Sequence, residues 1–398
     1  MSSFNTAQTF TAGASSVTVN SAGLTGSIAI STALTSSVSA NTYSLTLTPT
    51  LTLSGSDTSF QAGTAKSFTV NPKALNISIT KAYDGANSYT NAHSYTITGM
   101  AGSDSAPTIS SGSATISTVN VTNTPVTSFA SNTFVLSNSN YTLTGGTVSA
   151  AITQLASVTY SGASGGLWSA GTNWTVTGGS ATGAIPTLGN VATVVIPSGA
   201  SVTYSDAMAG LTPTSATAIT NNGTIAFTNT SSLTLPSAIS GVGHVTVSGS
   251  QPLTLSATNT YSGTTTIDAG STLKAGSTGA LSSSSAYVVN GTLDLAGYSV
   301  SAGSIAGAST GLITSSASGT PVLTVGGANS STSFAGVIAD GSATSVALTK
   351  SGSGVLTLTN ANTYSGVTTI SAGTVVITNS SALGGTSTGT TVSGGVLD

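Results

Sequence analysis

Apolar and hydroxyl-bearing residues alternate along short stretches of this chain. Ser16-Val17-Thr18-Val19-Asn20, Tyr43-Ser44-Leu45-Thr46-Leu47-Thr48 and Val355-Leu356-Thr357-Leu358-Thr359 each carry an aliphatic or aromatic side chain at every second position. A period of two places those side chains on one face of a strand and the hydroxyls on the other. The β-branched content suits a half-buried pleated surface. Breaks rich in Gly, Asn and Ser punctuate the runs at short intervals, as turns do. No segment carries an apolar stripe of helical period. The pattern predicts an all-β protein.

A second pattern lies above the first. Residues 253–271 read LTLSATNTYSGTTTIDAGS, and residues 356–374 read LTLTNANTYSGVTTISAGT. The echo continues downstream. Gly279-Ala280-Leu281 answers Ser381-Ala382-Leu383, and Gly291-Thr292-Leu293-Asp294 answers Gly395-Val396-Leu397-Asp398. Self-similarity of this length marks a stacked repeat architecture. A unit of about twenty residues cannot bury its apolar face alone, and stacking makes the core continuous. At about 4.8 Å per strand, residues 158–398 would supply about ten to twelve turns and a rod of roughly 50–60 Å.

Composition narrows the function. The 398 residues hold five Lys, no Arg, eight Asp, no Glu, no Cys and two His, His93 and His244, for a net charge of −3. Most active sites need positioned ionisable groups, and a chain this poor in cations cannot neutralise a phosphate backbone, so nucleic acid is not an expected partner. Disordered chains lack the β-branched residues found here. No apolar stretch is long enough to span a membrane as a helix. The first residues lack the basic and apolar regions of a secretion signal, and the chain stops mid-repeat at Asp398, so both ends read as cut. Absence of Cys fits a reducing cytosol or a long secreted rod.

Three segments follow. Residues 1–72 form a β-rich run. Residues 73–157 have the strand and turn spacing of a small β-sandwich. Their Pro72-Lys73-Ala74-Leu75 lead-in, Tyr83-Asp84-Gly85 and Asn140-Tyr141-Thr142-Leu143 exit resemble the YDG domain of large bacterial surface proteins of the filamentous-haemagglutinin type. On that resemblance residues 1–72 are the tail of a similar module, with Ser67-Phe68-Thr69-Val70 as its last strand. Residues 158–398 contain the repeats, with copies at 253–297 and 356–398. Their Leu-Thr-Leu, Asn-Thr-Tyr-Ser-Gly, Thr-Thr-Ile and Ala-Gly phrases resemble the autotransporter-associated β-strand repeat. The resemblance implies a right-handed parallel β-helix exported by type V secretion to the Gram-negative cell exterior. It also implies an outer-membrane transporter outside this chain and a stalk or contact role toward host, cell or matrix surfaces or polysaccharide. No cofactor and no metal is expected.

Individual residues have competing readings. Tyr261 and Tyr364 fit an aromatic row for sugar rings, or a turn in which Asn caps backbone groups, Gly263 and Gly366 take an unusual dihedral and Tyr packs over the corner. Repetition of the phrase as a unit favours the turn. Asn259 and Asn362 fit a buried amide stack. Trp168 and Trp174 fit a ligand platform, or a plug that closes the first coil, where an open sheet edge needs cover. Asp84 reads as a turn residue. A carbohydrate-active β-helix enzyme would need paired carboxylates or a calcium cluster. The carboxylates between Trp174 and Asp398 are Asp206, Asp268, Asp294 and Asp340, with no second acid beside any of them. His244 reads as a polar strand position, and neither His has a neighbouring metal ligand. An ice- or mineral-binding face would need Thr on successive coils, and the Thr-Thr-Ile runs at 265–267 and 368–370 are few and far apart.

Overall fold

The computed structural model describes residues 71–176, 183–208, 212–215 and 217–398, and the backbone of six strands before them. Those six pair antiparallel: Gln8–Ala12 with Ser15–Val19, Ser27–Ile30 with Leu47–Thr50, and Asn41–Leu45 with Lys66–Val70. The rest of the reading of 1–72 lies outside the described residues. The described residues are all-β, interrupted by two single 3-10 turns, Gly171–Asn173 and Asp206–Met208. The chain divides into two compact units, 1–81 with 88–117 and 124–151, and 82–87 with 118–123 and 152–398.

The first unit is built on antiparallel pairs. In Asn76–Ala82 every second residue is buried, and Ile77 lies opposite Ile97 in Ser94–Thr98. A second sheet pairs Ser113–Thr115 with Ser88–Thr90 and with Ser131–Asn132, placing buried Tyr89 opposite buried Ala114. Lys81 takes an inward position, and its ammonium lies 5.6 Å from the centre of the Tyr89 ring, a distance at which the ring's quadrupole attracts a cation.

The second unit is a parallel β-helix, a solenoid of about nine turns over residues 193–397. Three sheets run along it. One carries Leu155–Tyr160, Val191–Ile196, Ala218–Asn221 and Ile239–Ser240. The second runs from Gly166–Leu167 through His244–Val247 and Thr265–Ile267 to Ser304–Ala306. The third runs from Leu233–Leu235 through Leu253–Leu255 to Val337–Ile338. From Val300–Ala302 onward a further sheet forms through Val322–Val325, Ala347–Lys350, Thr368–Ile370 and Thr390–Val392. Beside it Thr332–Phe334, Val355–Leu358, Thr374–Ile377 and Val396–Leu397 continue the second sheet, joined to its end by the Gly307–Phe334 bridge.

Alternation becomes a ladder. Leu233, Leu253, Leu273, Leu293, Ile313 and Ile338 stack in register on the third sheet, and the last five are fully buried. Each such side chain contributes about 2 kcal/mol by leaving water. The outward column beside it is Thr234, Thr254, Lys274, Asp294 and Thr314, in which Lys274 and Asp294 pair at 3.6 Å. One inward column holds a cation: Val325, Lys350, Ile370 and Val392 are in register. The Lys350 ammonium curls to the corner and donates to the Ser351, Gly352 and Ala372 carbonyls at 2.6, 2.8 and 3.3 Å. Burial pushes its pKa down.

The nine turns over 193–397 make a rod of about 43 Å, and parallel pairing continues before them, from Leu155–Tyr160 to Val191–Ile196 and from Gly166–Leu167 to Ser201–Tyr204, toward the ten to twelve expected of 158–398. Coils are not uniform. Thr292 pairs with Leu312, but the coils that follow are longer, for Leu312 pairs with Val337 and Val322 with Ala347. The chain before 193 also spends a strand on closure, because Trp174–Val176 turns back antiparallel against Leu155–Tyr160.

Candidate functional site

The repeated Asn-Thr-Tyr-Ser-Gly phrase is a corner between two strands, and both copies build it alike. Asn259 is buried, and its Oδ1 accepts the Ile239 amide of the preceding coil at 2.8 Å. Its Nδ2 donates to the Ala280 carbonyl of the following coil at 2.7 Å. Asn362 accepts from the Ile338 amide at 2.7 Å and donates to the Ala382 carbonyl at 2.5 Å. One amide thus ties three coils. This differs from the expected stack of amides: each Asn works singly, because both of its polar ends are consumed by backbone. The downstream echo gains a meaning, since Ala280 and Ala382 are the acceptors of the two staples.

Tyr261 and Tyr364 are fully buried. Their phenols meet the Thr265 and Thr368 hydroxyls at 2.8 and 2.5 Å. Burial raises both phenol pKa values. A sugar ring cannot reach either one. Gly263 and Gly366 depart from expectation, for neither has a positive φ. Their reason is close approach: a Cβ would lie 2.1 Å from the Gly243 carbonyl oxygen and 2.4 Å from that of Val346.

Residues 245–275 and 348–377 match the family model of the passenger-associated-transport-repeat. Both matched segments lie in the β-helix. The repeat belongs to the passenger regions of autotransporters, which are secreted or displayed at the cell surface. No curated protein and no solved structure matches the chain.

The two passenger repeats do not sit on the same faces. The first runs from Leu253–Leu255 on the third sheet to Thr265–Ile267 on the second. The second runs from Val355–Leu358, on the continuation of the second sheet, to Thr368–Ile370 on the late sheet. It is turned by one face, because the intervening coils differ in length: a short one carries Ala286 to Ser304 and a long one Leu312 to Val337.

At the start of the β-helix, Trp168 and Trp174 are fully buried, which removes the ligand-platform reading. The Trp168 indole donates to the Pro186 carbonyl at 3.0 Å and that of Trp174 to the Trp168 carbonyl at 2.8 Å. Their rings continue an interior aromatic column. Tyr160 to Trp174 is 5.4 Å between centres, Trp174 to Trp168 4.8 Å, Trp168 to Tyr204 5.2 Å, and Tyr204 to Phe227 5.5 Å. Burial drives the Tyr204 phenol up to about 12, with the Thr212 hydroxyl pulling weakly the other way. A phenol raised in the fold stabilises below its unfolded pKa of 10, and that contribution is lost as pH rises from 10 toward 12. Tyr204 alone then removes on the order of 3 kcal/mol. Thermal unfolding followed with tyrosinate absorbance should show a falling midpoint above pH 10, with the buried phenols ionising only upon unfolding. Ionisation of every Tyr in the folded protein near pH 10 would contradict it.

Tyr83, Asp84 and Gly85 lie in the segment 82–87 that belongs to this second unit. The Tyr83 phenol donates to the Ile185 carbonyl at 3.2 Å, and Asp84 Oδ1 accepts the Ala86 amide at 3.0 Å, closing a turn. Gly85 has φ +81°, and a Cβ there would meet the Gly183 carbonyl oxygen at 2.5 Å. Gly85→Ala should cost at least about 2 kcal/mol in urea unfolding, from left-handed strain plus the clash. A loss below 0.5 kcal/mol, in order of magnitude, would contradict the clash.

Three of the four aspartates, Asp206, Asp294 and Asp340, have carboxylates occupied by amides. Asp206 borders a hollow of about 160 Å³ with Asn229 and Ser231. Its carboxylate accepts the Thr230 hydroxyl, the Thr230 amide and the Ser231 amide, which hold its pKa low. Asp294 accepts the Ala296 and Ser316 amides, and Asp340 those of Val346 and Ser365. Asp268 ends a strand at a turn, its carbonyl accepting the Ser271 amide. Among the described residues no three His, Cys, Asp or Glu side chains gather as a metal would need. The sequence phrases located the repeat corner, but nothing in them marked Lys350 or the Asp206 clasp, whose partners come from other coils.

Proposed function

We propose that this chain is the stalk and contact region of a secreted or surface-displayed bacterial adhesin, exported through an outer-membrane transporter outside the chain. The observation that carries this reading is the pair of passenger-repeat coils in a helix whose aromatic rings and amides serve coil stacking. In this reading residues 73–157 are a YDG-like module, the work is mechanical rather than enzymatic, and the partner is a host, cell or matrix surface or a polysaccharide. The engagement of Asp206, Asp294 and Asp340 by amides supports a non-enzymatic role, because carboxylates fixed by donors are poor nucleophiles and bases. The test immobilises the purified chain and measures binding to arrays of cell-surface polysaccharides and matrix proteins. Saturable binding without cleavage is the expected result. Shortening of a polysaccharide by the chain would replace the reading with a lyase or glycosidase, and binding to no surface would remove the contact role.

A further inference from the structure

His244 opens the strand His244–Val247 and points outward. Its Nδ1 accepts the amide of Thr264, on the next coil, at 3.0 Å. The Thr264 carbonyl takes the ordinary ladder bond from the Val245 amide at 3.0 Å. The imidazole therefore stands where a backbone carbonyl would otherwise receive Thr264. It can do so only as the neutral tautomer with its proton on Nε2. Protonation turns Nδ1 into a donor facing a donor.

Among the described residues of the coils packed on His244 none offsets the new charge. The preceding coil offers Asn221, Asn222, Gly223 and the strand Thr224–Phe227, the own corner Gly241, Val242 and Gly243, and the following coil Ser262, Gly263, Thr264 and Thr265–Ile267. None of these carries a charge. The one titratable side chain next to them, Tyr261, is buried on Thr265 and is neutral in acid. The ring cannot follow by moving its backbone, because the His244 carbonyl accepts Asn221 Nδ2 at 2.9 Å and its amide donates to the Gly223 carbonyl at 2.7 Å. Imidazole changes charge in the mildly acidic range.

We propose that His244 is an acid-released latch between two coils, placed at the entry to the first passenger repeat. Neutral conditions close it and mild acid opens it at this one corner. The test follows hydrogen exchange of the Thr264 amide in the full chain at pH 7.5 and pH 5.0, as protection relative to the intrinsic rate at each pH. The wild type should lose protection on acidification, because a ring with a proton on Nδ1 cannot accept the Thr264 amide. His244→Asn, whose Oδ1 reaches where Nδ1 was without titrating, should keep its protection at both pH values. Unchanged protection in the wild type, or an equal loss in His244→Asn, overturns the latch. Imidazole ¹⁵N shifts in the wild type give an independent reading. An Nδ1 without a proton while the Thr264 amide is protected is expected, and a proton on Nδ1 at pH 7.5 overturns the proposal.

Discussion

Asn259→Ala is expected to lower the unfolding free energy by about 3 kcal/mol, the penalty for stranding two buried backbone groups. The Ile239 amide and the Ala280 carbonyl each lose a partner at 2.8 and 2.7 Å. Water cannot replace the side chain readily, since Asn259 is only 5% exposed. Asn259→Asp separates the two ends of the staple. It keeps the acceptor for Ile239 but sets a carboxylate oxygen against the Ala280 carbonyl, so it should cost at least as much as Ala. Asn362→Ala repeats the experiment in the second copy, where Ile338 and Ala382 are stranded. Urea unfolding of the three variants measures the differences. Losses below 1 kcal/mol, in order of magnitude, for both alanine variants would show that the amides are not staples.

The staple also shows how much was legible in the sequence. Alternation of Val, Leu and Ile with Ser and Thr predicts strands, and the self-match predicts stacking. Both are properties of a chain read locally, and the all-β solenoid carries them. The position of Asn259 in a repeated phrase marked it as part of a corner. Its partners did not follow from the phrase, because Ile239 lies on another coil outside the repeat, and Ala280, though part of the downstream echo, is marked there by no sign that its carbonyl is an acceptor. The glycines misled for a related reason. A rare dihedral is the local reason for glycine at 263, whereas the constraint on Gly263 is the Gly243 carbonyl one coil away. Register hides in the same way. Counting residues gives a mean coil, but the short coil from Ala286 to Ser304 and the long one from Leu312 to Val337 rotate the second repeat by a face relative to the first. Lys350 is the clearest case. It stands in an alternating run as an inward residue, and no local rule foretells that its ammonium turns back onto three carbonyls.

Trp168→Ala is the second change with a large expected effect, about 3–5 kcal/mol for removing a buried indole. Three interactions go at once: the bond to the Pro186 carbonyl, the contact with the Trp174 ring at 4.8 Å, and the contact with Tyr204 at 5.2 Å. The Trp168 carbonyl remains to receive the Trp174 indole, so the lesion is a cavity rather than a broken turn. Trp168→Phe should recover part of the loss by refilling the space without the donor. Where the damage spreads is the sharper prediction. In a solenoid each coil touches only its neighbours. Hydrogen exchange should therefore quicken in the coils that hold the aromatic column, between Leu155–Tyr160 and Thr224–Phe227. The passenger repeats at 245–275 and 348–377 should keep their protection. Uniform loss of protection along the whole helix would mean that the unit unfolds as one block and that Trp168 holds up more than the aromatic column.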